Sequence, residues 1–298
     1  MRYVNQTIFA VFVTLVLLHS TGFSQETSPI FKETKIKNYL PHMSWVEVEQ
    51  ALKRTDMVII PVGAIEQHGK HLPLCTDIYA AIEISKLIAQ ETDVLVAPVV
   101  FAGLSRHHMD FPGTMTLSAP TFEAVVFECI QSLIYHGFRK FLIYNGHGGN
   151  DTSVNKVIYK VNQTTQAAAV LLSGIETAPE SVPLDYHAGE GETSSTLYLQ
   201  NSLVDMSRAE KPVLTIPPDA QKAMDNIEED TNLQQVINAY MFSPKVSGKK
   251  GSSREMTNNG VFTAGDPKNA TVERGRKKTE RFVKAAVKFI EAWKKISR

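Results

Sequence analysis

The chain of 298 residues carries 31 Lys plus Arg against 31 Asp plus Glu, and it is 43% hydrophobic and 21% charged. That much apolar material excludes a disordered chain, and the balanced charge excludes a nucleic-acid binder of the usual basic kind. Two cysteines exclude a disulfide scaffold or a four-cysteine zinc site, which leaves nine histidines as the metal-binding stock.

Residues 1–24 read as a secretory signal peptide. Arg2 is followed by an apolar run over 8–18, then by Gly22 and Ser24 ahead of Gln25. The run is short for a bilayer span, so the alternative of an uncleaved anchor is the weaker one. The mature protein is expected to begin near Gln25, in a periplasmic or secreted pool, with no membrane attachment after cleavage. Cys75 and Cys129 are expected as two unpaired, buried thiols. Residues 25–298 read as one domain.

From residue 57 short apolar runs alternate with amphipathic segments. Strands are expected at 57–62, 94–100, 141–144 and 167–172. Helices are expected at 78–89, 120–135, 152–161, 193–201 and 278–295. The alternation implies a mostly parallel sheet with helices on both faces, a three-layer α/β/α sandwich. Unbroken apolar runs fit strands covered on both sides. Residues 205–260 are richer in charge and proline and read as an excursion from the sheet, with a loop at 247–253.

Four polar clusters punctuate this pattern. Glu66-Gln67-His68 follows the first strand, with Asp77 ahead of the next helix. His107-His108 leads to a Pro-Gly turn. Asn145-Gly146-His147-Gly148-Gly149-Asn150 follows the 141–144 strand. His187, Glu190 and Glu192 precede the helix at 193–201. Taken singly, each has a bland reading: solvated loop residues, a helix cap, a turn, or acids at the positive end of a helix. Taken together, three of the four lie past the carboxyl ends of strands, where open α/β sheets place their sites. Glu66, His68, Asp77, His147 and one of Glu190 or Glu192 make five N and O donors. Such a set suits two divalent metals with one bridging carboxylate.

In this order the clusters resemble the creatininase family. The matching stretches are PVGAIEQHGKHLPLCTD (61–77), GLSRHHMDFPGTMTLS (103–118), NGHGGN (145–150) and HAGEGETS (187–194), with a weaker match over 260–275. The resemblance implies a metal-dependent hydrolase of cyclic or linear amide C–N bonds other than ordinary peptide bonds, often assembled as a homo-hexamer. It implies Glu66, His68, Asp77 and His147 as metal ligands with Asp77 bridging, and His187 and Glu192 as catalytic residues. The family pattern has a fifth ligand, a Glu, at the position of Gly149. Glu190 is taken as its replacement, with Glu192 as partner of His187. His107, His108, Asn145 and Gly148 are assigned to substrate or to support of the ligands. Zinc is the expected ion, with manganese or iron(II) as alternatives. Pro183 stands where the family has a tryptophan near its substrate, which points away from creatinine. The GHGGN and HAGE forms look more like the branch of formamide hydrolases and a peptide-cleaving maturation enzyme. Two other readings compete: a secreted binding protein with the same fold and no catalysis, and a two-metal phosphoester hydrolase.

Overall fold

The computed structural model describes residues 34–175, 185–227, 229–241 and 252–296. The signal-peptide reading of 1–24, Pro183 and most of the 247–253 loop lie outside these residues. In chain order the longer helices are α1 (Trp45–Leu52), α2 (Thr76–Glu91), α3 (Ala119–Tyr135), α4 (Asp151–Thr164), α5 (Glu190–Gln200), α6 (Pro218–Asp225), α7 (Gln234–Met241) and α8 (Val272–Ile296). The strands are β1 (Met57–Val62), β2 (Leu95–Val96), β3 (Lys140–Asn145), β4 (Ala168–Leu171), β5 (Asp185–His187) and β6 (Phe262–Thr263).

Four strands form a parallel sheet in the order β2-β1-β3-β4. β1 pairs with β3 along its whole length, from Met57 opposite Lys140 to Val62 opposite Asn145. Its side chains alternate between faces, yet every residue is buried, because both faces are covered. Val58, Ile60, Phe141 and Ile143 point to the face packed by α1, α3 and α4. Met57, Ile59, Leu142 and Tyr144 point to the face packed by α2 and α8. The architecture is the α/β/α sandwich read from the sequence. Phe122, Phe138 and Phe141 are fully buried, each stabilising the fold by about 1.5–3 kcal/mol.

Local signals set the helix ends. Ser44 and Glu47 form a reciprocal capping box that starts α1. The Ser118 hydroxyl accepts the Thr121 N–H at the start of α3, with Pro120 in its first turn. In α8 the buried Val283, Ala286 and Ile290 recur at helical spacing and face the sheet.

Four expectations change. The strand read at 94–100 is a ladder only at Leu95–Val96, with Val100 adding a single bridge to Val62; successive bonds to β1 come from Ala97 and Val100, so an extra residue breaks the register. The fourth cluster begins at the end of β5, a strand the sequence reading did not include, which pairs antiparallel with β6 in a separate two-stranded ribbon. The excursion carries α6 and α7 over a small core of its own, including Met224, Ile227, Ile237 and Phe262. Both thiols are free, but Cys75 is half-buried and Cys129 exposed. Among the described residues no helix is long and apolar enough to cross a membrane.

Candidate active site

β1 and β3 end side by side, so the loops that follow them converge at the carboxyl edge of the sheet. The loop after β1 brings Glu66, Gln67 and His68. The first turn of α2 brings Asp77, and the turn after β3 brings His147. The end of β5 adds His187, and the first turn of α5 adds Glu192. Asp77 stands between two imidazoles: Oδ1 is 3.1 Å from His68 Nε2 and Oδ2 is 3.1 Å from His147 Nδ1. Glu66 Oε1 lies 3.2 Å from His147 Nδ1, and Glu192 Oε1 lies 3.4 Å from His68 Nε2. Glu66 and His68 are each 1% exposed and Asp77 2%; Glu192 is half-buried.

Hydrogen bonds to backbone carbonyls fix which ring nitrogen faces the cluster. His68 Nδ1–H donates to the Glu66 carbonyl at 3.1 Å, so its Nε2 lone pair is turned to Asp77 and Glu192. His147 Nε2–H donates to the Leu104 carbonyl at 3.4 Å, so Nδ1 is turned to Glu66 and Asp77. Second partners of this kind are what orient imidazole ligands toward a metal. His187 Nε2–H donates to the Gln67 carbonyl at 2.6 Å and leaves Nδ1 facing Glu66 Oε1 at 3.6 Å. His108 differs. Its Nδ1 meets Gln67 Nε2 at 3.0 Å and Ser253 Oγ at 2.6 Å. Both are groups that can donate to it, so Nε2 carries the proton and faces Glu66 at 3.6 Å.

The electrostatics follow from crowding buried acids against imidazoles with no Lys or Arg beside them among the described residues. Burial alone raises the Glu66 and Asp77 carboxyls; His147 beside Glu66, and His68 and His147 beside Asp77, reverse this and hold both below the usual carboxylate range. Burial also works against ionisation of Glu192, but His68 beside it draws its carboxyl down to about 2. Burial pulls His68 and His147 down, but the neighbouring carboxylates win and both are raised well above 6.5. His187 and His108 are lowered, by burial and then by neighbouring imidazoles. Burial lowers His107 to about 4.

This arrangement fits divalent cations. Glu66 Oε2 is buried without a hydrogen-bond partner, and an unmade buried acceptor costs about 1–3 kcal/mol. Among the described residues, four triads of donor atoms lie close enough to hold an ion, each with its atoms within 4.8 Å of one another. Two of them, Glu66–Asp77–His147 and His68–Asp77–Glu192, share Asp77, and each turns one ring nitrogen inward. The other two, Glu66–His107–His108 and Glu66–His68–His187, reuse Glu66. The mixed imidazole and carboxylate set suits zinc, manganese or iron(II).

The sequence-derived residues are thus brought together with one correction. Glu190 does not reach the cluster: its carboxylate pairs with Arg274 on α8. The helix has already begun at Glu190, so Glu190 and Glu192 diverge by about 200° around it, and Glu192 is the one turned to His68. Asn145 shapes the His147 turn, its Nδ2 donating to the His147 carbonyl and to Asp151, each at 2.7 Å. Gly148, His107 and His108 line a cavity of about 470 Å³ over the cluster. Sequence reasoning missed Gln67, Tyr186 and Gln234. The Gln67 side-chain amide donates to His108 Nδ1 and to the Gly260 carbonyl, and its backbone carbonyl accepts from His187; its only signal was its place between Glu66 and His68. Tyr186 and Gln234 line the cavity from β5 and α7.

A three-layer α/β sandwich with this cluster at its carboxyl edge belongs to the class of metal-dependent hydrolases. The family model described as Creatininase, creatinine amidohydrolase, matches residues 41–290, and the chain belongs to the creatininase family. It is 28% identical over 205 residues to a creatinine amidohydrolase of Pseudomonas putida, covering 60% of this chain and 79% of the relative. It is 36% identical over 155 residues to a mycofactocin precursor peptide peptidase of Mycolicibacterium smegmatis, covering 48% of this chain and 58% of the relative. It is 29% identical over 174 residues to a 3-dehydro-scyllo-inosose hydrolase of Thermotoga maritima, covering 54% and 56%. The matches thus span little more than half the length of the last two. Among solved structures, a Zn-Zn form of a creatininase variant superposes with a TM-score of 0.64 at 24% identity, over 86% of this chain and 98% of that one. A manganese form of creatininase gives 0.63 at 24%, over the same shares. At these identities the structures speak for the fold.

Proposed function

We propose that the protein hydrolyses the C–N bond of a small amide. One divalent ion is held by Glu66, Asp77 and His147, and a second by His68, Asp77 and Glu192. The observation that carries this reading is Asp77, whose two oxygens face two differently oriented imidazoles with no cationic side chain between them. Bound ions of this kind lower the pKa of water and polarise a carbonyl. The chain's own residues do the rest. His187, its Nε2–H held by the Gln67 carbonyl, presents Nδ1 as the base that takes a proton from the attacking water and then passes it to the leaving nitrogen. His108, stacked on His187 with ring centroids 4.3 Å apart, and His107 beside it line the cavity, both neutral near pH 7. A cavity of about 470 Å³ suits a small molecule, and the described lining has no tryptophan, in keeping with a substrate other than creatinine.

Zinc is the expected ion, with manganese or iron(II) as substitutes. The mature chain starts near Gln25 in the periplasm or outside the cell, where it assembles as a homo-oligomer, a hexamer by family resemblance. A phosphoester hydrolase would want a cationic wall, and no Lys or Arg lines the cavity among the described residues. A binding protein without catalysis would have no use for His187 so placed. The test is a screen of metal-loaded protein against small cyclic and linear amides, with amine release as the readout and phosphoesters run in parallel. Amide turnover is expected. Turnover of phosphoesters alone, or of nothing, overturns the reading.

A further inference from the structure

The geometry points to Asp185 as the positioning residue that holds Glu192 in the ligand set of the second ion; this role rests on the two-ion reading above. α5 begins without a local cap: its N-cap is Gly189, which has no side chain to receive the first N–H groups. The cap comes instead from β5. Asp185 Oδ2 accepts the Gly191 N–H at 2.5 Å and the Glu192 N–H at 3.3 Å. A carboxylate there also meets the positive end of the helix.

The two glycines of the GEG sequence are the shape of this slot. A Cβ on Gly191 would lie 2.6 Å from Asp185 Oδ2, and one on Gly189 would overlap Asp185 Oδ1. With Asp185 seated, Glu192 leaves the turn at a fixed angle. Its Oε2 accepts the Ala188 N–H at 2.6 Å, and its Oε1 faces His68. Ala188 sits at φ 54° to make that bond, a backbone state that side-chain-bearing residues adopt only when their surroundings impose it. β5 carries both Asp185 and His187, so one short strand sets Glu192 and the proton-carrying imidazole together.

The test is a stepwise titration of the metal-free full chain with zinc alone, read by competition with a chromophoric chelator, on wild type, D185A, D185N and G191A. Circular dichroism of each metal-free chain checks the fold. D185A is expected to weaken one of the two ions about 10–100-fold and leave the other unchanged, the range seen when a residue supporting a ligand is removed. D185N keeps an oxygen for the Gly191 N–H and should restore most of that loss. G191A should reproduce the single-site loss, and the D185A/G191A pair should lose less than the sum of the two. A wild-type chain that takes up fewer than two ions overturns the two-ion reading and this role with it. Two ions in wild type, with D185A losing neither or losing both equally, overturns the role of Asp185 alone. If D185A does not fold, D185N and G191A decide on the same criteria.

Discussion

Gly275 lies buried in the first turn of α8, where that helix crosses α5. A Cβ at this position would overlap the Ser194 carbonyl oxygen and lie 2.9 Å from Ser195 N. Gly275→Ala therefore sets two effects against each other. Alanine is the better helix former by up to about 1 kcal/mol. Overpacking typically costs about 1–3 kcal/mol, and the upper part of that range applies because the obstacle is backbone. Carbon contacts settle at about 3.5–4.0 Å, so the helices must part by roughly 1 Å. The packing effect wins, leaving the variant less stable by about 1–2 kcal/mol. At about 2–4 °C per kcal/mol for a domain of 150–250 residues, that lowers Tm by roughly 2–8 °C. The same shift moves the first turn of α5, which carries Glu192. A displacement near 1 Å in a catalytic constellation costs on the order of 100-fold in turnover. Thermal unfolding and amide turnover of the metal-loaded variant check both halves. A variant with raised Tm and unchanged turnover would refute the close packing of α5 on α8.

Glu192→Gln should lower bound metal toward one ion per chain and abolish most turnover, whereas Glu190→Gln, which disturbs only the pair with Arg274, should keep both ions; metal analysis of the two variants decides. Metal removal exposes the charge balance of the site. His68 and His147 are raised above their ordinary 6.5 by the carboxylates facing them, so the stability they add is fully present below pH 6.5 and is lost as pH rises through their folded values. The depressed histidines act only below 6.5, and the depressed carboxylates only in acid. The chelated protein should therefore lose Tm as pH rises above 6.5, and a flat or rising profile refutes this. N-terminal sequencing of the native protein should find a chain beginning at or near Gln25; an intact Met1 contradicts the secretory reading.

How legible the molecule was depended on where information sits in the chain. The run MVIIPV at β1 shows a doubly covered strand because apolar residues on both faces leave no alternation to disguise it. Glu66, His68, Asp77 and His147 stood out because acids and imidazoles cluster just past such strands. Glu190 and Glu192 could not be told apart, since starting the helix at Glu190 rather than Thr193 decides which of them faces the cluster. β5 and β6 span three and two residues, too few for any periodicity. They exist because Asp185 and His187 pair with the segment around Phe262, far along the chain. α6 and α7 are eight residues each, short enough to depend on the packing of Met224 and Ile237 rather than on propensity. Gln67 carries no charge to mark it, and its role emerges only where three loops meet.

The proposed chemistry turns on one carboxylate, Asp77, serving two ions that together support amide hydrolysis. Metal content by elemental analysis of the wild-type chain and of Asp77→Ala, taken beside amide turnover on the same samples, tests it most directly. Two ions per chain with turnover in wild type, and neither ion nor turnover in the variant, is the expected result. A variant that keeps its full complement of metal would contradict the account.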